Sequence, residues 1–152
     1  MKKLLWLLLS FLVLQSACER DDLCLHKRVT PVVLRFRDDA TGAPRRVDSL
    51  TVTYDTLTLV PLVPADSVAF YLPPEPGEHQ LAFTWKNGSL RQTDTLVFSY
   101  RPREEFLSKA CGFVLVLDSL QIEPLTHRWI RHAEVVVPVV KEDTLAHANI
   151  YF

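Results

Sequence analysis

Three cysteines, five histidines and one carboxylate placed among apolar residues are the groups in this chain that could do chemistry. The carboxylate is Asp94. Leu81, Phe83 and Trp85 alternate with smaller or polar residues before Asn87-Gly88, and Leu96, Phe98 and Tyr100 alternate after it. Asn-Gly between two such runs predicts a tight hairpin, because the favoured turn needs positive φ at both central residues. A two-residue loop there pairs Trp85 with Leu90, Phe83 with Gln92 and Leu81 with Asp94. Gln92 and Asp94 then lie on the apolar face. A carboxylate buried without partners is costly, so Asp94 is expected to accept hydrogen bonds from backbone amides or an arginine. The sharper alternative is a catalytic acid, which here lacks a second carboxylate beside it.

The other groups do not converge. An acyl-transfer triad needs a nucleophile, a base and an orienting acid, and no nucleophile-elbow pattern singles out a serine. His127 and His132 are five apart, which puts them on opposite faces of a strand and argues against a shared metal. His26 falls in a tether, His79 in a loop and His147 near the last residues. Asp38-Asp39 supplies too few oxygens for calcium, which takes about six or more. Gly42, Gly77, Gly88 and Gly112 are too dispersed for a phosphate-binding loop. Tyr54, Trp85, Tyr100 and Trp129 could form a sugar-stacking platform, but aromatics of a sandwich mostly fill its core. These readings give no catalytic residue, no metal ligand set and no cofactor. The formal charge is −1 with both signs interspersed, so nucleic acid is not an expected partner.

The cysteines depend on how the first residues are read. Lys2 and Lys3 precede an apolar run from Leu4 to Leu14, broken only by Ser10, and Ser16-Ala17-Cys18 follows. A basic start, a short apolar stretch and small residues before a cut site predict a secretory signal peptide over 1–17. The run is too short for a membrane span, which takes roughly 20 apolar residues. Ser16-Ala17-Cys18 resembles a bacterial lipobox, with Gln15 where an aliphatic residue is usual. That resemblance implies acylation of Cys18 and cleavage before it. More than one long acyl chain is needed for durable attachment, each buried methylene contributing about 0.8 kcal/mol. Residues 18–29 then form a tether. Its charged start, Glu19, Arg20, Asp21 and Asp22, resembles an acidic surface-export signal, and equally serves as a solvated spacer. With Cys18 acylated, Cys24 and Cys111 are left as a pair, and outside the cytoplasm an even remainder points to a disulfide. Two free thiols, or a metal site with poor ligand spacing, remain the alternatives.

Period-two alternation from Thr30 onward sets the elements that must position these groups. Strands are expected after Pro31, at Leu50 to Tyr54 with a bulge or break near Asp55-Thr56, at Val68 to Leu72, on both sides of Asn87-Gly88 and at the closing residues. Pro61 and Pro64 are expected to end the element holding Leu57 and Leu59, and Pro73 to Gly77 to form a loop. Arg101 to Glu105 reads as a charged connection, Cys111 to Leu117 as a central strand covered on both faces, and Trp129 to Val140 as a long strand. No long amphipathic helix or repeat appears. The expected fold for 30–152 is a single all-β domain: an antiparallel β-sandwich of about eight or nine strands, immunoglobulin-like or Greek-key, after a cleaved N-terminal signal helix, with a β-barrel as the alternative.

Several of these residues together resemble one family. Cys18, Asp21-Asp22-Leu23-Cys24, Thr30-Pro31, Thr93-Asp94 leading to Ser99-Tyr100, Cys111-Gly112-Phe113 and the closing His147 to Phe152 stand in the order found in a family of Bacteroidetes lipoproteins classed as domain of unknown function 6452. The resemblance spans nearly the whole mature chain. It implies a lipid-anchored envelope protein and no particular activity. The leading expectation is therefore a non-enzymatic envelope module, held at the outer membrane through its lipid, periplasmic or surface-exposed, that supports an assembly or binds an envelope protein. A lipoprotein binding a glycan or an apolar small molecule is the alternative. An enzyme centred on Asp94 and a histidine comes third.

Overall fold

The alternation read in the sequence becomes nine strands in the computed structural model, which describes residue 24, residues 26–142 and residues 145–152. They are β1 (Val32–Arg37), β2 (Val47–Tyr54), β3 (Leu57–Ala65), β4 (Ser67–Phe70), β5 (Gly77–Asn87), β6 (Leu90–Ser108), β7 (Gly112–Pro124), β8 (His132–Val135) and β9 (Ala148–Tyr151). A four-stranded sheet in the order β4-β1-β9-β8 faces a five-stranded sheet in the order β3-β2-β5-β6-β7. No helix occurs among the described residues. The signal-like stretch, Cys18 and the Glu19, Arg20, Asp21 and Asp22 run lie outside them.

Alternate residues of each strand supply the space between the sheets: Val32, Leu34 and Phe36 from β1, Leu50 and Val52 from β2, Leu81 and Phe83 from β5, Leu96 and Phe98 from β6, Ala148 and Ile150 from β9. The ring of Phe70, on one sheet, meets those of Phe83 and Phe98, on the other, at centroid distances of 6.2 and 6.0 Å. Each such Val, Leu, Ile or Phe side chain contributes about 1.5–3 kcal/mol by leaving water. One pairing departs from the antiparallel expectation. β9 lies between β1 and β8 and runs parallel to β1, after a return segment longer than a hairpin allows.

Several local expectations are corrected. Of the bulge or break expected near Asp55-Thr56 the break forms, as a chain reversal: Asp55-Thr56 is a two-residue turn with Asp55 at φ 52°, and β3 folds back along β2. Pro61 and Pro64 do not end β3. It is the edge of its sheet, where a proline removes no ladder donor. The hairpin at Asn87-Gly88 forms in a shifted register. Gly88-Ser89 is the turn and Asn87 pairs with Leu90, so Phe83, not Leu81, faces Asp94. Only Gly88 takes positive φ (58°), which suits a turn with glycine first.

Arg101 to Glu105 is strand, not connection. β6 and β7 continue past Gly77, where β5 begins, as a two-stranded ribbon. Arg101, Arg103 and Glu105 share one face, where Arg103 is bonded to Asp118 and Glu105, and Lys141 to Glu105, while Glu104 lies exposed on the other face opposite Leu115. β7 is covered on both faces over Val114 to Leu117 but is the last strand of its sheet. Single bridges from Val29 and Val140 line its outer edge. Finally, only His132–Val135 of the expected Trp129 to Val140 strand is extended ladder, because the amides of Trp129 and Ile130 are committed elsewhere.

Candidate functional site

Those amides converge on Asp94. Its side chain is fully buried. Oδ1 accepts from the Thr126 hydroxyl at 2.7 Å and the Arg128 amide at 2.8 Å, and Oδ2 from the amides of Trp129 at 2.7 Å and Ile130 at 2.8 Å. Desolvation pushes the carboxyl up, but the hydrogen bonds from Ile130, Arg128, Trp129 and Thr126 outweigh it and hold Asp94 below the usual carboxylate range. A carboxylate has about four lone-pair sites, and here four donors fill them. Asp94 is thus an ionised clamp that closes residues 126–130 over one end of the sandwich, with no acceptor site left for a substrate. Trp129 finishes the closure. Its indole N–H donates to the Phe83 carbonyl at 3.1 Å, and its ring packs against Phe36, Trp85 and Phe152.

This placement settles the aromatic platform. Trp129 and Tyr100 are buried, and Tyr54 and Trp85 pack against the core. The Tyr100 hydroxyl donates to the Pro73 carbonyl at 2.6 Å and so fastens the proline loop. Burial raises the Tyr100 phenol well above its ordinary value, with Tyr54 and Glu75 adding to the effect.

The histidines are dispersed as ligands but not idle. His79 is not in a loop; it is a buried residue of β5, stacked on Tyr100 with centroids 5.3 Å apart. Its Nε2 lies 3.0 Å from the Glu75 carbonyl, which can only accept, so Nε2 carries the proton and Nδ1 accepts from the Tyr54 hydroxyl at 3.1 Å. His147 extends the β1–β9 ladder by side chain: its amide donates to the Val33 carbonyl at 2.8 Å and its Nδ1 accepts from the Val33 amide at 3.0 Å. His132 stacks on Tyr151 and lies 3.1 Å from Asp39. His127 is outside the strand that holds His132, and His26 is exposed. Among the described residues no three His, Cys, Asp or Glu side chains gather as a metal site.

Cys24 and Cys111 are joined in a disulfide, with Cα atoms 4.8 Å apart across a sequence separation of 87. In the chain-entropy model a loop of that length is worth about 4–5 kcal/mol. The bond does not reach a central strand as the sequence suggested. Cys111 stands in the turn at the tip of the β6–β7 ribbon. The two strands flank that turn with a cross-strand pair, Phe106 opposite Phe113, their rings 5.5 Å apart. Reading Arg101 to Glu105 as a connection hid this pair. The available signal was the near-symmetric placing of Phe106 and Phe113 about Lys109-Ala110.

A second feature lies at the other edge of the sandwich. The chain passes from β3 to β4 through Asp66 alone, so the two strands leave a shared corner on different sheets and diverge. Their far ends border an open groove of about 530 Å³, lined by Tyr54, Leu57, Leu59, Phe70, Tyr71 and Leu72 among others.

The family model described as Family of unknown function (DUF6452) matches residues 46–152. The chain belongs to that family. The part matched by DUF6452 starts just before β2 and takes in Asp94, the residues that clamp it, Cys111 and the aromatic pair. It leaves out β1 and Cys24, so it is shorter than the resemblance read from the sequence. No curated protein and no solved structure matches the chain.

Proposed function

We propose that this DUF6452 protein is a lipid-anchored envelope protein of Bacteroidetes type, acylated at Cys18, that acts as a non-enzymatic structural or protein-interaction module. The observation that carries this reading is the Cys24–Cys111 disulfide. Stable disulfides belong to oxidising compartments, which agrees with a secretory leader over 1–17. The bond also leaves Cys18 with no second cysteine in the chain to pair with. A lipid at Cys18 would then pull on a short covalent path into the largest sheet, and the tether 18–29 would place the domain at the outer membrane, periplasmic or surface-exposed. Asp94, the most deeply buried carboxylate among the described residues, has its acceptor sites filled by its own chain, which favours scaffold over catalysis.

The test is expression of the full chain in a lipoprotein-processing cell. The wild type should incorporate labelled fatty acid and sediment with membranes, and Cys18→Ala should do neither. Equal labelling or sedimentation of the two would overturn the reading. One observation favours a second reading, a carrier of apolar ligands: the groove beside Leu57 and Tyr71. Displacement of an apolar fluorescent probe from the wild type, lost in Leu59→Glu, would support it.

A further inference from the structure

We propose that the tip of the β6–β7 ribbon is a membrane-contact site, which seats Phe106 and Phe113 at the boundary between lipid headgroups and acyl chains. The inference rests on the anchoring at Cys18 proposed above. Four features of the ribbon carry it.

The first is the aromatic pair itself. Phe106 and Phe113 are 57 and 60% exposed, far more than the other phenylalanines of the sheets. They are directly opposed, so their exposure is one contiguous patch. The second is the face they occupy. Between Ser99/Gln121 and Arg101/Asp118 the register gains one residue on β7, and Ser119 there takes φ 56°. This bulge reverses which side chains point inward. Leu120 and Ile122 face the core on one side of it, and Leu115 and Leu117 on the other. Phe113 continues the Leu115 and Leu117 row, so this face of the sandwich runs out along the ribbon to the aromatic pair, interrupted on β6 by the exposed Glu104 opposite Leu115.

The third is reach. The ribbon from Arg101 to Ser108 extends the sheet by roughly 27 Å at about 3.4 Å per residue. The disulfide fixes Cys24 to its end, and six peptide steps separate Cys24 from Cys18. Even fully extended, six residues span only about 20 Å. A lipid at Cys18 therefore keeps the tip within about 20 Å of the bilayer surface, whichever way the rest of the domain leans. The fourth is charge. Lys109 is exposed in the turn itself, further back Arg103 and Lys141 each pair with Glu105, and Glu104 is the exposed acid two residues behind Phe106. An aromatic patch with a cationic turn suits the interfacial zone, where rings sit at headgroup level and lysine reaches phosphate.

The experiment uses the acylated full-length protein in vesicles of phosphatidylethanolamine and phosphatidylglycerol, with and without brominated acyl chains. Tryptophan is introduced by Phe113→Trp or, separately, Phe106→Trp. Leu90→Trp, at the opposite end of β6, is the control. Both tip variants should lose roughly half or more of their added fluorescence to bromine at this interfacial depth, and the control no more than wild type. If protein shown by mass to be acylated floats with the vesicles but neither tip variant is quenched beyond the control, the tip contact is wrong and the anchor stands. If the protein carries no acyl group and does not float, both fall. Protein-dependent shielding of the tip without bromine quenching would assign the patch to a second copy and overturn the lipid assignment.

Discussion

Replacing Asp94 by asparagine is the sharpest perturbation of the fold. The change preserves shape but converts one acceptor oxygen to an amide donor. Each oxygen of Asp94 serves two donors, so whichever is kept, two lose their acceptor. A buried donor left unsatisfied costs about 1–3 kcal/mol, so Asp94→Asn should lose roughly 2–6 kcal/mol, a large share of an ordinary domain's stability. Urea unfolding at neutral pH should show the midpoint falling with the slope unchanged. The pH dependence adds a second test. The folded carboxyl is held below its ordinary value, so its contribution is complete above the unfolded value near 4 and is lost as pH falls through the lower folded value. The wild type should therefore lose its advantage over Asp94→Asn in acid. A neutral-pH loss under about 1 kcal/mol, or a gap that does not narrow in acid, would refute the clamp.

Other expectations follow from the same contacts. Reducing the Cys24–Cys111 bond, or changing both cysteines to serine, should cost up to about 4–5 kcal/mol by urea unfolding, and the two single variants should cost as much as the double. Trp129→Phe loses the bond to the Phe83 carbonyl and should cost about 1–3 kcal/mol. Trp85→Phe should cost less, under about 1.5 kcal/mol, because the Trp85 indole N–H has no hydrogen-bond partner to lose. In alkaline titration followed by phenolate absorbance, Tyr100 and Tyr151 should ionise last, the first raised by burial and the second by its bond to Glu134. The stability tied to Tyr100 is present below the unfolded value near 10 and fades as pH rises toward the folded one. His147→Leu should cost about 1–3 kcal/mol by leaving the Val33 amide without its acceptor.

Much of this was legible from alternation alone. The strands at Val32, Leu50, Val68, Leu81 and Ala148 and the class of fold follow from period two, because each strand buries one face. The burial of Asp94 was also legible, since a two-residue shift in hairpin register preserves the face on which a residue lies. What alternation could not show was the set of donors. They come from residues 126–130, distant in sequence, and the same apolar residues that fill a core read equally well as strand. Prolines misled for a physical reason: an edge strand tolerates them, and edge position is a tertiary property. The charges of Arg101 to Glu105 misled in the same way, because an exposed ribbon face reads as loop. The tip left one signal in the sequence, the placing of Phe106 and Phe113 about Lys109-Ala110, and a charged connection over 101–105 conceals it.

Anchoring at Cys18 is tested most directly by the mass of the mature protein extracted from the membranes of a lipoprotein-processing cell. It should begin at Cys18 with acyl chains attached, and its unreduced digest should contain Cys24 linked to Cys111. A mature chain that starts elsewhere and carries no fatty acid, or one that retains residues 1–17, would contradict it.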